Sequence, residues 1–257
     1  MRPADLARLW NALAARPAAQ FDEALTQLME ELCAWLRADN VTWVGSLRMA
    51  HGAAAALDAQ GGWRVRAVQP LRQIPQREEL IRKALLTQGS GSSMTTAALL
   101  REAGTFRVHR LRDGFVDFDA FRATAHYRVF YRAPGLRDRM WAVMPVNADC
   151  ESCLFFDTYA PRRRFSPRDA QLAADALRDS AWFQRRLLLG NGLLVACKPL
   201  SPSQRKLLRL LLSDRAESRI GDDLGLTRAT THTYVTRLYR HLGVNSRAGL
   251  MALWLRS

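Results

Sequence analysis

The run Leu200-Ser201-Pro202-Ser203-Gln204-Arg205 … Ile220-Gly221-Asp222-Asp223-Leu224-Gly225-Leu226-Thr227-Arg228-Ala229-Thr230-Thr231-His232 decides the reading of the C-terminal quarter. A proline at the start of an apolar pattern predicts a helix from Ser201-Pro202 through Leu212. A short helix around Ser218–Leu224 follows and stops at Gly225. Leu226 then starts a turn, and Thr227 offers a side-chain oxygen to the unpaired N–H groups of a third helix. That helix runs to His241-Leu242 and ends at Gly243. Thr231, Val235, Leu238, Tyr239 and Leu242 fall at the spacing of a core-facing stripe. His232, Thr233, Thr236, Arg237 and Arg240 fall on the other side, all hydrogen-bonding or cationic, with no carboxylate. Such a face suits a major groove lined by phosphates.

The spacing Leu200-Ser201-Pro202-x-x-Arg205 … Ile220-x-x-x-Leu224-Gly225-Leu226-Thr227-x-x-Thr230 … Leu242-Gly243-Val244-x-Ser246-Arg247-Ala248-x-Leu250 resembles the LuxR-type helix-turn-helix domain over about a quarter of the chain. The resemblance implies an all-α four-helix domain whose third helix enters the major groove and whose fourth helix, from Ser246, helps dimerise. On that basis Thr227, Arg228 and Thr230 are expected to hold phosphates at the helix N-terminus. His232, Thr233 and Thr236 are expected to face base edges, and Arg237 and Arg240 either bases or backbone. Double-stranded DNA is the expected partner, bound by a homodimer on a two-fold-related site. Three positions depart from the common pattern: His232 for lysine, Gly221 for alanine and Gln204 for glutamate. The first leaves base preference open, and the second should weaken the scaffold helix by roughly 1 kcal/mol relative to alanine.

Charge is distributed in the same sense. The 257 residues carry a net +14. Residues 193–257 hold 11 Lys+Arg against 4 Asp+Glu, and the other 192 residues hold 27 against 20. Net positive charge per residue is therefore about threefold higher at the C-terminal end, the footprint of a nucleic-acid-binding module. Only three of the 38 cations are lysine, which looks like genome composition more than arginine-specific chemistry. Met1–Trp10 lacks the uninterrupted apolar segment of a signal peptide. No apolar run approaches the roughly 18 residues of a membrane span. A cytoplasmic protein with no membrane association is expected, and Cys33, Cys150, Cys153 and Cys197 read as reduced thiols.

Upstream, helical and extended patterns alternate without the βαβ rhythm of a doubly wound sheet, which predicts an antiparallel sheet with flanking helices. Arg16-Pro17 starts an amphipathic helix with Phe21, Leu25, Leu28, Met29, Leu32, Trp35 and Leu36 on one face. Val41–Met49, Trp63–Gln69, Thr105–Leu111, Arg139–Val146 and Cys153–Tyr159 read as strands, the last two joined by a turn at Asn147-Ala148-Asp149. Glu78–Thr87 and Phe118–Tyr131 read as helices, Gln88–Ser93 as a low-complexity loop, and Arg168–Leu189 as one long helix behind Ser166-Pro167. The segment Trp141-Ala142-Val143-Met144-Pro145-Val146 … Leu154-Phe155-Phe156 … Phe165-Ser166-Pro167-Arg168-Asp169 resembles the closing part of GAF-like sensor domains. That resemblance implies a GAF/PAS-like α+β domain that binds a small ligand between its sheet and loops. The expected organisation is a sensor domain over 1–189, a linker over 190–197 hinged at Gly190-Asn191-Gly192, and the helix-turn-helix domain over 198–257.

Other features have plainer readings. Cys150-Glu151-Ser152-Cys153 has metal-ligand spacing, but a structural zinc needs four ligands, and neither a second pair nor a His pair accompanies it. Asp117-Phe118-Asp119 reads as a solvated helix start, Arg162-Arg163-Arg164 as a solvated loop, and His109 and His126 as structural. Trp43, Trp63, Phe106, Trp141 and Phe155 read as core aromatics, some of them candidates for a pocket wall. No cofactor and no metal are expected. The chain thus reads as a ligand-responsive transcriptional regulator and not an enzyme. A quorum-sensing receptor for acyl-homoserine lactones has a similar layout, although its Trp-x-x-x-Tyr and Asp-Pro pattern is missing here. An enzyme fused to a DNA-binding domain lacks any supporting nucleophile, paired-carboxylate or phosphate-loop motif.

Overall fold

The computed structural model describes residues 2–74, 79–80, 83–84, 93–195 and 198–256. Most of the helix expected over Glu78–Thr87, most of the Gln88–Ser93 loop, and Cys197 lie outside the described residues. The helices and strands are α1 (Pro3–Ala15), α2 (Phe21–Leu36), β1 (Asn40–Arg48), α3 (Gly52–Ala56), β2 (Trp63–Pro70), α4 (Met94–Arg101), β3 (Arg107–Arg110) and α5 (Phe118–Ala123). They continue as β4 (Asp138–Asn147), β5 (Cys150–Thr158), α6 (Pro167–Leu177), α7 (Ala181–Gly190), α8 (Pro202–Leu211), α9 (Glu217–Leu224), α10 (Arg228–His241) and α11 (Arg247–Leu255). They pack as two compact units. One is built from residues 28–181, the other from 2–27 together with 182–257. This division differs from the sequence expectation, which kept residues 1–189 together.

The first unit is built on an antiparallel sheet in the order β2-β1-β5-β4-β3. Alternation sorts its side chains by face, since successive residues of a strand point to opposite sides. Val41, Trp43, Leu47, Met140, Leu154 and Phe156 are buried on one side, where the Trp43 indole donates to Ser152 Oγ at 2.7 Å. Helix α6 packs against β3 and β4. Three cross-strand rows form on the other side: Val44–Cys153–Val143, Thr42–Phe155–Trp141 and Asn40–Asp157–Arg139.

Two expected helices are broken, each by a hydroxyl that bonds locally to backbone. The helix read over Phe118–Tyr131 stops at Thr124, whose extended backbone and Oγ1 cap a new turn at Tyr127 N. A π-turn over Arg128–Arg132 follows. The single helix read over Arg168–Leu189 is two, α6 and α7, because Ser180 bonds back to the Leu177 carbonyl through both N–H and Oγ. Ser, Thr and Asp offer the backbone such alternatives to a continuous helix. Apolar periodicity alone does not reveal where they take effect.

The second unit gathers α1, α7 and the C-terminal helices. Phe21 is 4% exposed, joins one apolar cluster with Leu208, Leu238, Leu250 and Trp254, and has its ring 5.6 Å from that of Trp254. Trp182 and Phe183 pack edge-on to Trp10, so the aromatic pair at this position meets the N-terminal helix. The expected hinge is packed as well. Asn191 is 5% exposed; its Nδ2 donates to Leu187 O and its carbonyl accepts from Leu200 N. Gly192 adopts a φ of +77° with Leu200 and the Lys198 carbonyl where a Cβ would stand. The glycine ends α7 as expected, but the bend it makes is fixed in place.

Candidate functional site

Helix α10 is capped as its sequence predicts. Thr227 Oγ1 accepts from Thr230 N at 3.3 Å and lies 2.9 Å from Thr230 Oγ1. The preceding helix α9 closes on Gly225 in the left-handed region, φ +65°. Thr231, Val235, Leu238 and Leu242 are each 1% exposed, so the core stripe faces inward as the spacing requires. Thr227, Arg228, His232, Thr233, Thr236, Arg237 and Arg240 are exposed and Thr230 is half-buried. The eight residues singled out from sequence therefore share the solvent side of one helix and its cap. Tyr234, which sequence reasoning passed over, joins them at 43% exposure. It lies four residues after Thr230 and three before Arg237, on the same flank of the helix.

The electrostatics of this unit are uneven. Arg205 and Arg209 pair with Asp22 and Glu23, Arg215 with Asp223, and Arg219 with Asp222. Arg247 donates to the carbonyls of Leu211, Ser213 and Arg215. Arg228, Arg237 and Arg240 have no ion-pair partner among the described residues. Four of the arginines outside α10 are thus held against carboxylates, while the three on its exposed face are not. One carboxylate does approach the face: Glu217 Oε1 of α9 lies 3.1 Å from His232 Nδ1. The helix alone carries no acid there, so this contact depends on how α9 and α10 pack.

That packing also revises the expectation for Gly221. A Cβ at this position would stand 2.8 Å from Thr231 Oγ1 and 3.3 Å from the Leu226 carbonyl. Thr231 Oγ1 is itself held by the Thr227 carbonyl at 2.9 Å. The loss of helix propensity is therefore offset by an approach of α9 to α10 that alanine would obstruct.

A second feature lies in the first unit, where a cavity of about 300 Å³ opens between the sheet and α4. Its floor is the β-face carrying Thr42, Val44, Arg139, Trp141, Cys153 and Phe155; Leu99, Leu100, His126 and Tyr131 contribute to its walls. Of the aromatics noted in the sequence, Trp63, Trp141 and Phe155 line it. Trp43 lies on the opposite face of the sheet, and Phe106 lies under Arg178. Burial, aided by the nearby Arg139 charge, lowers the His126 pKa to about 4. His109 instead stacks on Phe115, with ring centroids 4.8 Å apart.

The remaining sequence candidates are structural. Asp117 Oδ1 caps α5 by accepting from Asp119 N and Ala120 N. Arg163 donates to the Leu36 carbonyl and pairs with Asp169. Cys150 and Cys153 are buried and form no disulfide among the described residues, and burial raises the Cys153 pKa well above the usual thiol range. Among the described residues no cluster of His, Cys, Asp and Glu is placed to hold a metal ion. No described helix is long and apolar enough to cross a membrane.

Residues 198–253 match the profile of the bacterial regulatory proteins of the luxR family, GerE, and form a LuxR-type helix-turn-helix domain. The transcriptional regulatory protein MctR of Rhizobium johnstonii is 34% identical over 64 residues, which span 25% of this chain and 30% of that protein. The match therefore reaches less than a third of that relative's length. Among solved structures, SdiA in complex with octanoyl-rac-glycerol is similar with a TM-score of 0.52 and 12% identity, over 97% of this chain and 93% of that one. That likeness is one of fold. The VqsR LBD domain from Pseudomonas aeruginosa gives a TM-score of 0.46 at 14% identity, over 72% of this chain and 94% of that one.

Proposed function

We propose that the protein is a sequence-specific DNA-binding transcriptional regulator that reads duplex DNA through α10 and is controlled by a small molecule held in the cavity of the sheet unit. The observation that carries this reading is the exposed face of α10, where Arg228, Arg237 and Arg240 are uncompensated inside a LuxR-type domain whose other arginines are largely paired. Thr227, Arg228 and Thr230 hold phosphates at the helix N-terminus, His232, Thr233 and Thr236 face base edges, and Arg237 and Arg240 serve backbone or bases. A homodimer places two such helices in successive turns of the major groove. The sheet unit acts as a GAF-like sensor, supported by an antiparallel sheet one face of which floors a largely apolar cavity of ligand size.

The reading is tested by the salt dependence of binding. Phosphate contacts release counterions, so log K falls linearly with log salt. Arg240→Ala should weaken binding to all duplexes and reduce that slope by about one. Unchanged affinity together with an unchanged slope would remove Arg240 from the interface.

A second reading, a receptor for acyl-homoserine lactones, is favoured by the cavity together with the fold likeness to SdiA. It requires that such a lactone stabilise the sheet unit on thermal unfolding, and the absence of any shift at saturating lactone would dismiss it.

A further inference from the structure

The cavity is bounded by charge that is already neutralised. Arg139 Nε and Nη2 hold Asp157 as a fork, at 2.6 and 3.0 Å, with Asp157 fully buried and Arg139 showing 14% of its side chain. The guanidinium lies 5.1 Å from the Tyr131 ring centroid and 5.5 Å from that of Phe155. Tyr131, itself hydrogen-bonded to Thr95 and Arg139, fixes it from the helical side. Six residues along the strands, at the far end, Glu151 accepts from Arg107 through a second fork at 2.8 and 2.8 Å and from Gly104 N. Arg64 pairs with Asp58, and His126 is uncharged at neutral pH, with its pKa near 4. Between the two forks lie the Thr42–Phe155–Trp141 and Val44–Cys153–Val143 rows.

Asp157 takes two of the five N–H donors of the guanidinium and Tyr131 a third, and Arg139 lines the cavity. An oxygen acceptor entering there meets an oriented donor and the Tyr131 hydroxyl. A carboxylate or phosphate would instead add a net negative charge beside the buried Asp157 carboxylate, where both described arginines lining the cavity, Arg64 and Arg139, are already paired, which is costly. We infer that the cavity takes an uncharged molecule whose carbonyl, ester or hydroxyl oxygen sits against Arg139 and Tyr131 and whose apolar part lies along Val44, Val143 and Cys153. This rests on the reading that the cavity binds a small molecule, and it assigns the polar end, the orientation and the charge of that molecule. Asp157 is a positioning residue, since it aims the guanidinium.

The test compares octanoylglycerol, a neutral ester, with octanoate, the same acyl chain ending in a charge. Binding to the full chain at pH 7 is followed by thermal unfolding and by fluorescence of the lining Trp63 and Trp141. Replacing Arg139 alone would bury Asp157 unpaired, so the variant is Arg139→Gln with Asp157→Asn, which removes both charges and keeps the hydrogen-bonding shapes. Octanoylglycerol should raise the melting temperature of the parent and octanoate should not. The double variant should keep the ligand-free melting temperature within a few degrees and bind octanoylglycerol at least tenfold more weakly. Equal affinity for parent and variant would overturn the assignment of Arg139 and leave the cavity as a binding site. Binding of octanoate in preference to the ester would overturn the neutral class. If neither probe binds the parent, the reading of the cavity falls together with this inference.

Discussion

Glu217 and His232 meet at 3.1 Å on the exposed side of α9 and α10, and under the proposed reading of α10 the contact would bear on base readout. An imidazole whose Nδ1 donates to a carboxylate leaves Nε2 as an acceptor held in one orientation, which is the atom the proposed reading would turn to the groove. Glu217→Gln should therefore change base preference at the position His232 faces, with about 1–3 kcal/mol at stake for a strong base contact. Glu217→Ala in a His232→Ala background should add no further change, the non-additivity expected of coupled residues. If removing Glu217 only strengthens binding to every duplex alike, its role is general repulsion of phosphates. The exposure of His232, Thr233 and Thr236 was legible because their spacing sets them opposite the core stripe. Neither Glu217 nor the tight fit of Gly221 against Thr231 was, because both depend on how two helices pack.

Among elements, the C-terminal helices were the most legible, since each end carries a local chemical signal. Ser201, Thr227 and Ser246 all accept from the backbone N–H three residues on, and Gly225 and Gly243 hold positive φ after their helices. Strands were found within a few residues because alternation is visible over each one. The broken helices were not, since Thr124 and Ser180 differ from tolerated helical residues only in the bonds they make. Arg247 was noted in the sequence only as part of a motif. In the structure its guanidinium ties α11 to the carbonyls of Leu211, Ser213 and Arg215, at the end of α8 and in the turn beyond it. Arg247→Ala leaves those carbonyls without a charged donor and should destabilise this unit by about 1–3 kcal/mol. Arg247→Lys should recover only part of that, because an ammonium lacks the planar fork. Chemical denaturation checks both, and coincident transitions for all three proteins would show that the tie contributes nothing.

For the molecule as a whole, the least legible property was which segments belong together. Composition and the Gly-Asn-Gly triplet pointed to a boundary near residue 190, yet residues 2–27 pack in the same unit as 182–257. Phe21 carries this pairing by burying its ring beside Trp254, joined by the ion pairs of Asp22 and Glu23 with Arg205 and Arg209. Contacts separated by 183 positions or more leave no periodic trace in a sequence. The C-terminal excess of positive charge, by contrast, was visible at once, and the structure adds that Arg205, Arg209, Arg215 and Arg219 are paired with carboxylates while the arginines of α10 are not. The account's central claim is that this helix reads a specific DNA sequence. It is tested most directly by selecting duplexes from a random pool with the 257-residue chain and with its Thr233→Ala and Thr236→Ala variants. The account predicts that the parent enriches a two-fold-symmetric site with half-sites about one helical turn apart, and that each variant changes one or two positions within each half-site. Recovery of no consensus by the parent, or of an identical consensus by all three proteins, would contradict it.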